Sequence, residues 1–276
     1  MLSEEILRRV RQIELTTRRV IDDFVSGNYR SHFKGHGVQF SDHRQYVPGD
    51  DVRHIDWKVS ARTREPMIKK FEEERELTVL LVVDVSGSKA FGSGDRTKAE
   101  VAAEVAGLLS YAANRAGDKV GLLLFASEVE KVLPPKKGRV QVQRIIRELL
   151  AFKPKSKASN LAGALDAASR ILKHSGIVFI ISDFIADDYG LELKRLARRH
   201  DVVALQIADP RERAVPDVGH LLVVDPETGV EHMVDSGSRA FARWISEAQV
   251  VLETDFKTAA TGGRVEIVAL LSDQDY

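Results

Sequence analysis

From Leu77 to Val83 the chain is apolar at every position except Thr78, and the run stops at Asp84. A strand with one wet face would alternate polar and apolar residues. An unbroken run suits a strand buried on both faces, as in a parallel sheet covered by helices. The sequence downstream keeps to that constraint. Helical spacing is expected over 97–115, 138–152, 161–173, 191–199 and 238–258. Short apolar runs at 119–125, 129–133, 177–181, 202–207 and 265–270 read as strands, and 221–224 with 230–234 as a hairpin. Strand and helix alternate, which predicts an α/β fold: an open, mostly parallel, doubly wound sheet with helices on both faces. Such sheets bind ligands beyond the C-terminal ends of their strands, where strand order reverses. Asp84 ends one buried strand and Asp183 follows another.

Upstream the pattern changes. Ser3 to Val25 carries apolar residues at near-helical spacing and reads as an amphipathic helix capped by Ser3. Residues 28–76 show no clean period. They are rich in Gly, Arg, Asp and aromatics and hold four of the eight histidines, so loops and short strands are expected. The expected division is residues 1–76, an N-terminal helix and a signature segment packed on the main domain, and residues 77–276, the α/β domain. The formal net charge is zero, which gives no bulk attraction to nucleic acid or an anionic membrane. The absence of cysteine excludes disulfides, thiolate zinc sites and a cysteine nucleophile. No apolar run approaches the roughly 20 residues of a membrane span, and the first residues lack the apolar stretch of a secretory signal. A cytoplasmic protein with no membrane span is the expectation.

The chemistry gathers at the predicted strand ends. In D-V-S-G-S, residues 84–88, side chains two apart start out on the same side, so Asp84, Ser86 and Ser88 share a direction. Gly87 allows a sharp turn. Asp183 comes to the same edge, and K-A-S-N-L adds Ser159 and Asn160 before a helix. A set of oxygen ligands with few charges suits a hard cation that keeps some waters: Mg²⁺ first, Mn²⁺ next. Each piece also has a plainer reading, since Asp and Ser are common at strand ends and Ser159 reads as a helix N-cap. Asp84, at a strand end expected to face solvent, should be removable at little cost to the fold.

Enzymatic readings meet the same residues. A serine-hydrolase elbow needs G-x-S-x-G, which D-V-S-G-S lacks. A phosphate-cradling G-x-x-x-x-G-K-[ST] loop is missing too. A phosphatase of the haloacid-dehalogenase type would use Asp84 as nucleophile, Asp183, Asp187 and Asp188 as its acidic loop and Ser127 as its hydroxyl. Ser86 then stands where that chemistry wants a second aspartate, and a hydroxyl is a poor proton donor to a leaving alkoxide. This reading ranks second.

These residues resemble the metal-ion-dependent adhesion site of von Willebrand factor type A domains. The resemblance implies direct cation ligation by Ser86, Ser88 and Ser159 and water-bridged ligation by Asp84 and Asp183. It departs at Ser159, where threonine is usual, and at Phe184, where glycine is usual. The upstream stretch F-K-G-H-G-V-Q-F-S-D-H-R-Q-Y-V-P-G-D-D-V-R-H-I-D-W-K-V-S-A-R is similar to the signature of the bacterial "domain of unknown function 58" family. The matching residues are Gly37, Phe40, Asp42, Arg44, Tyr46, Gly49, Asp50, Asp51, Arg53, Ile55, Asp56, Trp57, Ser60, Ala61 and Arg62. That resemblance covers about residues 28 to 200. It implies a non-enzymatic adaptor whose partner is a MoxR-type AAA+ ATPase, acting in chaperone-like assembly or stress functions.

The signature segment also has a physical reading of its own. Asp50, Asp51, Arg53 and Asp56 alternate in sign within seven residues, as in loops held by internal salt bridges, and the competing reading is an anion-binding face of Arg44, Arg53, Arg62 and Arg64. Trp57 and Ile55 would anchor the loop in apolar contact, whereas a nucleic-acid role would use Tyr46 and Trp57 as exposed aromatics. A structural brace is expected, with Trp57 buried and Asp50, Arg53 and Asp56 sharing hydrogen bonds. The alternative is a partner surface. The near-neutral local charge argues against nucleic acid.

Overall fold

The computed structural model describes residues 39–72, 77–94, 96–213, 215–225 and 229–273. The amphipathic helix expected at residues 3–25 lies outside them. The described residues form two compact units that divide between Leu77 and Thr78.

The smaller unit is an antiparallel pair, β1 (Gln39–Gln45) and β2 (Met67–Glu72), joined through a short 3-10 turn (Val52–His54) and helix α1 (Trp57–Thr63). Asp56 caps α1 by accepting the N–H groups of Lys58 and Val59. Arg64, in the left-handed conformation, ends it.

In the larger unit the chain runs β3 (Thr78–Asp84), α2 (Lys98–Arg115), β4 (Lys119–Phe125), β5 (Val129–Lys136), α3 (Arg139–Ala151) and α4 (Leu161–Ile171). It continues through β6 (Ile177–Ser182), α5 (Gly190–Ala197), β7 (Asp201–Ala208), α6 (Pro210–Arg213), β8 (His220–Val224), β9 (Glu231–Asp235), α7 (Arg239–Gly263) and β10 (Glu266–Leu271). Six strands make one sheet in the order β10-β7-β6-β3-β4-β5. Every neighbouring pair is parallel except β4 with β5. β8 and β9 form a separate antiparallel pair.

The apolar run that set the expectation is the central strand. Val79 to Val83 are buried on both faces of β3. Leu80 and Val82 pack with Leu161 and Leu165 of α4, Leu193 and Leu196 of α5, and Phe256 and Ala260 of α7. α2 and α3 cover the opposite face, through Val101, Ala102, Val105 and Ala106 of α2 and Val142, Ile145 and Ile146 of α3. The chain proceeds from β3 outward through β4 and β5, then returns past β3 to β6 and outward through β7 and β10. The order reverses between β3 and β6, so the crevice of this sheet opens at the C-terminal ends of those two strands. No helix among the described residues is long and apolar enough to cross a membrane.

One buried group on the larger unit is exposed to acid. His200 follows α5 with its ring buried, and neither ring nitrogen has a hydrogen-bond partner. Burial lowers its pKa below 6.5, with Arg199 acting in the same direction and Asp201 opposing. The unfolded chain therefore binds a proton that the folded chain resists. The stabilisation is complete above pH 6.5 and is lost as the pH falls below it. Urea unfolding at pH 5 and pH 7 should show a loss of stability in acid that is smaller in His200→Leu. An identical pH dependence in both proteins would show that the buried ring is not responsible.

Candidate functional site

The site is built where β3 and β6 end side by side. Asp84 is the last residue of β3, and Gly87–Ala90 turns sharply away as a 3-10 helix. The Gly87 N–H donates to the Lys157 carbonyl at 2.7 Å, which ties this turn to the loop before α4. Asn160, not Ser159, caps α4 by accepting the Gly163 N–H at 2.9 Å. Ser159 is thereby left to reach the site.

All five residues of the expected set come together. Asp84 Oδ1 accepts the Ser86 N–H at 2.9 Å. Asp84 Oδ2 accepts Ser159 Oγ at 3.2 Å and Ser182 Oγ at 2.8 Å. Ser88 Oγ donates to Asp183 Oδ2 at 3.0 Å, and Ser86 Oγ lies 3.4 Å from Ser88 Oγ. Asp84 does not face solvent as expected: it is 2 % exposed, because the turn and the α4 loop close over the strand end. Its removal would leave three donors without an acceptor, so the expectation of a cheap substitution does not hold.

Two lysines complete the site. The Lys89 ammonium lies 2.6 Å from Asp183 Oδ2, 3.2 Å from Asp84 Oδ2 and 2.8 Å from Ser88 Oγ. Lys98, fully buried at the start of α2, lies 3.1 Å from the same Asp183 oxygen and 2.5 Å from Glu212 Oε1. Burial alone would push the Asp183 carboxyl up, but Lys89 and Lys98 outweigh it and hold it at about 2. Burial alone would lower the Lys98 ammonium, and Asp183 with Glu212 raises it instead. Three carboxylates, Asp84, Asp183 and Glu212, thus pair with two ammonium groups at the strand end.

The network continues along the edge. Asp209, just past β7, accepts Ser93 Oγ at 2.5 Å, the Ser93 N–H at 2.8 Å, the Arg211 N–H at 2.9 Å and Ser272 Oγ at 2.8 Å. The Glu212 carboxylate accepts the Asp209 N–H at 3.0 Å, which links this hub to Lys98. Burial would raise the Asp209 carboxyl, and these four donors hold it at about 2.

The site expected for Mg²⁺ or Mn²⁺ has the right oxygens, but a divalent ion does not fit among them while Lys89 is in place. The ammonium stands between both carboxylates and a serine hydroxyl, three of the groups that the ion would need. Among the described residues no group of three or more His, Cys, Asp or Glu is arranged to hold a metal.

The loop after β6 shows what Phe184 does in place of the expected glycine. Its φ of 60° is left-handed, a conformation that costs a non-glycine residue energy. Burial offsets that cost: the ring is 3 % exposed and stacks on Phe256 with centroids 4.3 Å apart. The Phe184 N–H donates to Ser182 Oγ at 3.1 Å and the Ile185 N–H to Asp183 Oδ1 at 3.2 Å. Phe91 and Ile185, on the two loops that form the site, are exposed apolar residues.

The family described as Protein of unknown function DUF58 matches residues 42–253. The chain belongs to the DUF58 family. Its relatives include the uncharacterized protein Rv1480 of Mycobacterium tuberculosis, 32% identical over 97% of this chain and 85% of that protein. The uncharacterized protein YeaD of Bacillus subtilis is 33% identical over 46% of this chain and 30% of its own length. Among solved structures, BatB from Bacteroides thetaiotaomicron aligns at 14% identity over 71% of this chain and 91% of that one, with a TM-score of 0.47. The VWA domain of SpRpn10 aligns at 11% identity over 72% and 90%, with a TM-score of 0.39. For this DUF58 chain, the strand order and the D-x-S-x-S turn at the reversal point define a von Willebrand type A-like α/β fold.

The DUF58 signature segment is organised differently from the expected brace. Arg44 pairs with Asp50 through two hydrogen bonds of 2.6 and 2.7 Å. That contact, with the Val47 N–H, holds the Asp50 carboxyl at about 2. Arg53 pairs with its near neighbour Asp51 at 2.7 Å, and Asp56 caps α1 with His43 Nε2 3.2 Å away. Arg44 with Asp50 and Arg53 with Asp51 are thus pairs of residues close in sequence. Trp57 is 71 % exposed, because it is the first residue of α1 and its side chain leaves the unit there. Ile55, bridged to buried Ile68, supplies the apolar anchor instead. Ser60 joins α1 to β2 by donating to the Asp56 carbonyl at 2.7 Å and accepting the Met67 N–H at 2.8 Å. Tyr46 is half-buried, and its N–H donates to the Pro66 carbonyl. In urea unfolding, Trp57→Ala should change stability by no more than about 0.5 kcal/mol. Asp56→Ala should cost about 1 kcal/mol through its lost cap. The reverse ranking would restore the buried anchor.

Proposed function

We propose that this DUF58 chain is a non-enzymatic, cytoplasmic adaptor that docks a protein partner at the C-terminal edge of its sheet. The observation that supports this most is the state of the strand-end carboxylates. Asp84 and Asp183 are buried and fully paired, while apolar Phe91 and Ile185 stand exposed on the loops around them. A rigid polar floor beneath an apolar rim suits recognition. The phosphatase alternative needs Asp84 free to attack a phosphate ester, yet both its oxygens are committed. Of its other candidates, Asp187, Asp188 and Ser127 are exposed, and Asp183 is buried on Lys89 and Lys98.

The family resemblance makes a MoxR-type AAA+ ATPase the partner to test. In the metal form of this reading, Mg²⁺ or Mn²⁺ held by Asp84, Ser86, Ser88, Ser159 and Asp183 is completed by a partner carboxylate. That form requires Lys89 to leave the site. Titration of the purified chain against such an ATPase, with free Mg²⁺ and with EDTA, separates the two forms. Equal binding in both conditions supports metal-free docking, and binding only with Mg²⁺ supports the metal form. No binding in either condition rejects the ATPase partner.

A further inference from the structure

We infer that Lys89 is a built-in counter-cation, its ammonium taking the place that a divalent ion would occupy among Asp84, Ser86, Ser88, Ser159 and Asp183. The inference concerns the same edge as the proposed docking, but neither it nor its test depends on a partner.

The position of Lys89 in the chain makes this arrangement reachable. It follows Ser88 directly and lies within the 3-10 turn Gly87–Ala90, where the Lys89 N–H donates to the Ser86 carbonyl at 3.1 Å. This tight turn brings the side chain back against the end of its own strand. The side chain is only 3 % exposed, so the ammonium has almost no water. An ammonium has three N–H donors. Three oxygens lie within reach: Asp183 Oδ2, Ser88 Oγ and Asp84 Oδ2. All three belong to residues of the expected cation set: Ser88 as a direct ligand, Asp84 and Asp183 as the two carboxylates.

The second lysine strengthens the case. Lys98 lies on the same Asp183 oxygen and is completely buried. A divalent ion entering beside Lys89 would meet two fixed positive charges on carboxylates already paired with them: Asp84 and Asp183 with Lys89, and Asp183 and Glu212 with Lys98. If Lys89 swung out instead, its long chain would have to leave a buried position for solvent. The edge is thus assembled, and its buried carboxylates paired, by the chain itself, and its geometry does not wait on a metal.

The test uses Mn²⁺ alone as the probe, read by electron paramagnetic resonance titration and by thermal unfolding with Mn²⁺ or EDTA. Wild type should show no saturable Mn²⁺ binding, and its Tm should be the same in Mn²⁺ and in EDTA. Lys89→Ala removes the ammonium and leaves the five oxygen-bearing residues. It should gain one saturable Mn²⁺ site and a Tm that rises with Mn²⁺, as linkage requires of an ion bound only by the folded chain. Adding Ser159→Ala to Lys89→Ala should weaken that gained site, placing it at this crevice. Lys89→Gln, of similar length and without charge, is the second variant. A variant that refolds only when Mn²⁺ is present gives the same supporting answer. Saturable Mn²⁺ binding by wild type that Ser159→Ala weakens would overturn the inference. So would a folded Lys89→Ala and a folded Lys89→Gln that take up no more Mn²⁺ than wild type.

Discussion

Asp183→Ala should destabilise the larger unit by about 3–5 kcal/mol, the range for breaking a buried ion pair from one side. The carboxylate accepts from Lys89, Lys98, Ser88 and the Ile185 N–H. Its loss leaves two buried ammonium groups, one with no exposure at all, sharing only Asp84 and Glu212. Urea unfolding should show a large fall in midpoint, while Asp187→Ala, an exposed carboxylate on the same loop, stays close to wild type. A loss below about 1 kcal/mol for Asp183→Ala, the usual size of a surface pair, would mean that the two lysines do not rely on it. The same group sets an acid limit. Its folded pKa of about 2 lies below its ordinary 3.8, so its stabilisation is present above 3.8 and is lost as the pH falls through about 2. The variant should therefore lose less stability than wild type across that interval.

The second large effect is expected at Asp209. Its carboxylate accepts four hydrogen bonds, from both donors of Ser93, from Ser272 and from the Arg211 N–H. Asp209→Ala would strand these donors at a position with no exposure. A buried donor without a partner costs about 1–3 kcal/mol. Some of the four would find other acceptors, so a total near 3 kcal/mol is expected. Asp209→Asn keeps one acceptor oxygen and the shape of the side chain, and should retain part of the stability. Chemical unfolding of the two variants beside wild type checks this order. Equal losses in Ala and Asn variants would show that charge, and not the number of accepted bonds, makes Asp209 important.

The sheet was legible because its strands are buried on both faces. Leu77–Val83 and Ile177–Ile181 admit no other economical reading, and the loops at their ends follow from them. The D-x-S-x-S turn and Asp183 were legible for the same reason, since alternation along a strand fixes which side chains meet. Lys89 was not legible. A lysine after such a turn reads as a solvated side chain, and only the 3-10 geometry folds it under. Lys98 was hidden likewise at the first turn of a helix, where a charged residue normally faces water. Asp209 carried a signal that went unused: Asp209-x-x-Glu212 has the spacing of a capping box. Trp57 misled in the opposite direction. An aromatic between charges suggests an anchor, but a first helical position with nothing packed over it leaves the ring in solvent.

These observations separate two properties that the sequence joined. The strand-end set has the residues of a cation site, and the fold brings them together. What occupies the centre of that set is decided by one residue beside the motif. A partner meeting this edge finds buried, paired charges below Phe91 and Ile185, so contact with those two side chains should dominate affinity.

The central claim is that this edge is a protein-docking face. The most direct test is the affinity of a purified MoxR-type ATPase for wild type and for Phe91→Ser/Ile185→Ser. Both residues are exposed, so the double variant should keep wild-type stability. If they anchor the contact, its loss should exceed about 2 kcal/mol, more than tenfold in Kd, as for the central residues of protein interfaces. Unchanged affinity in a folded double variant would contradict the account.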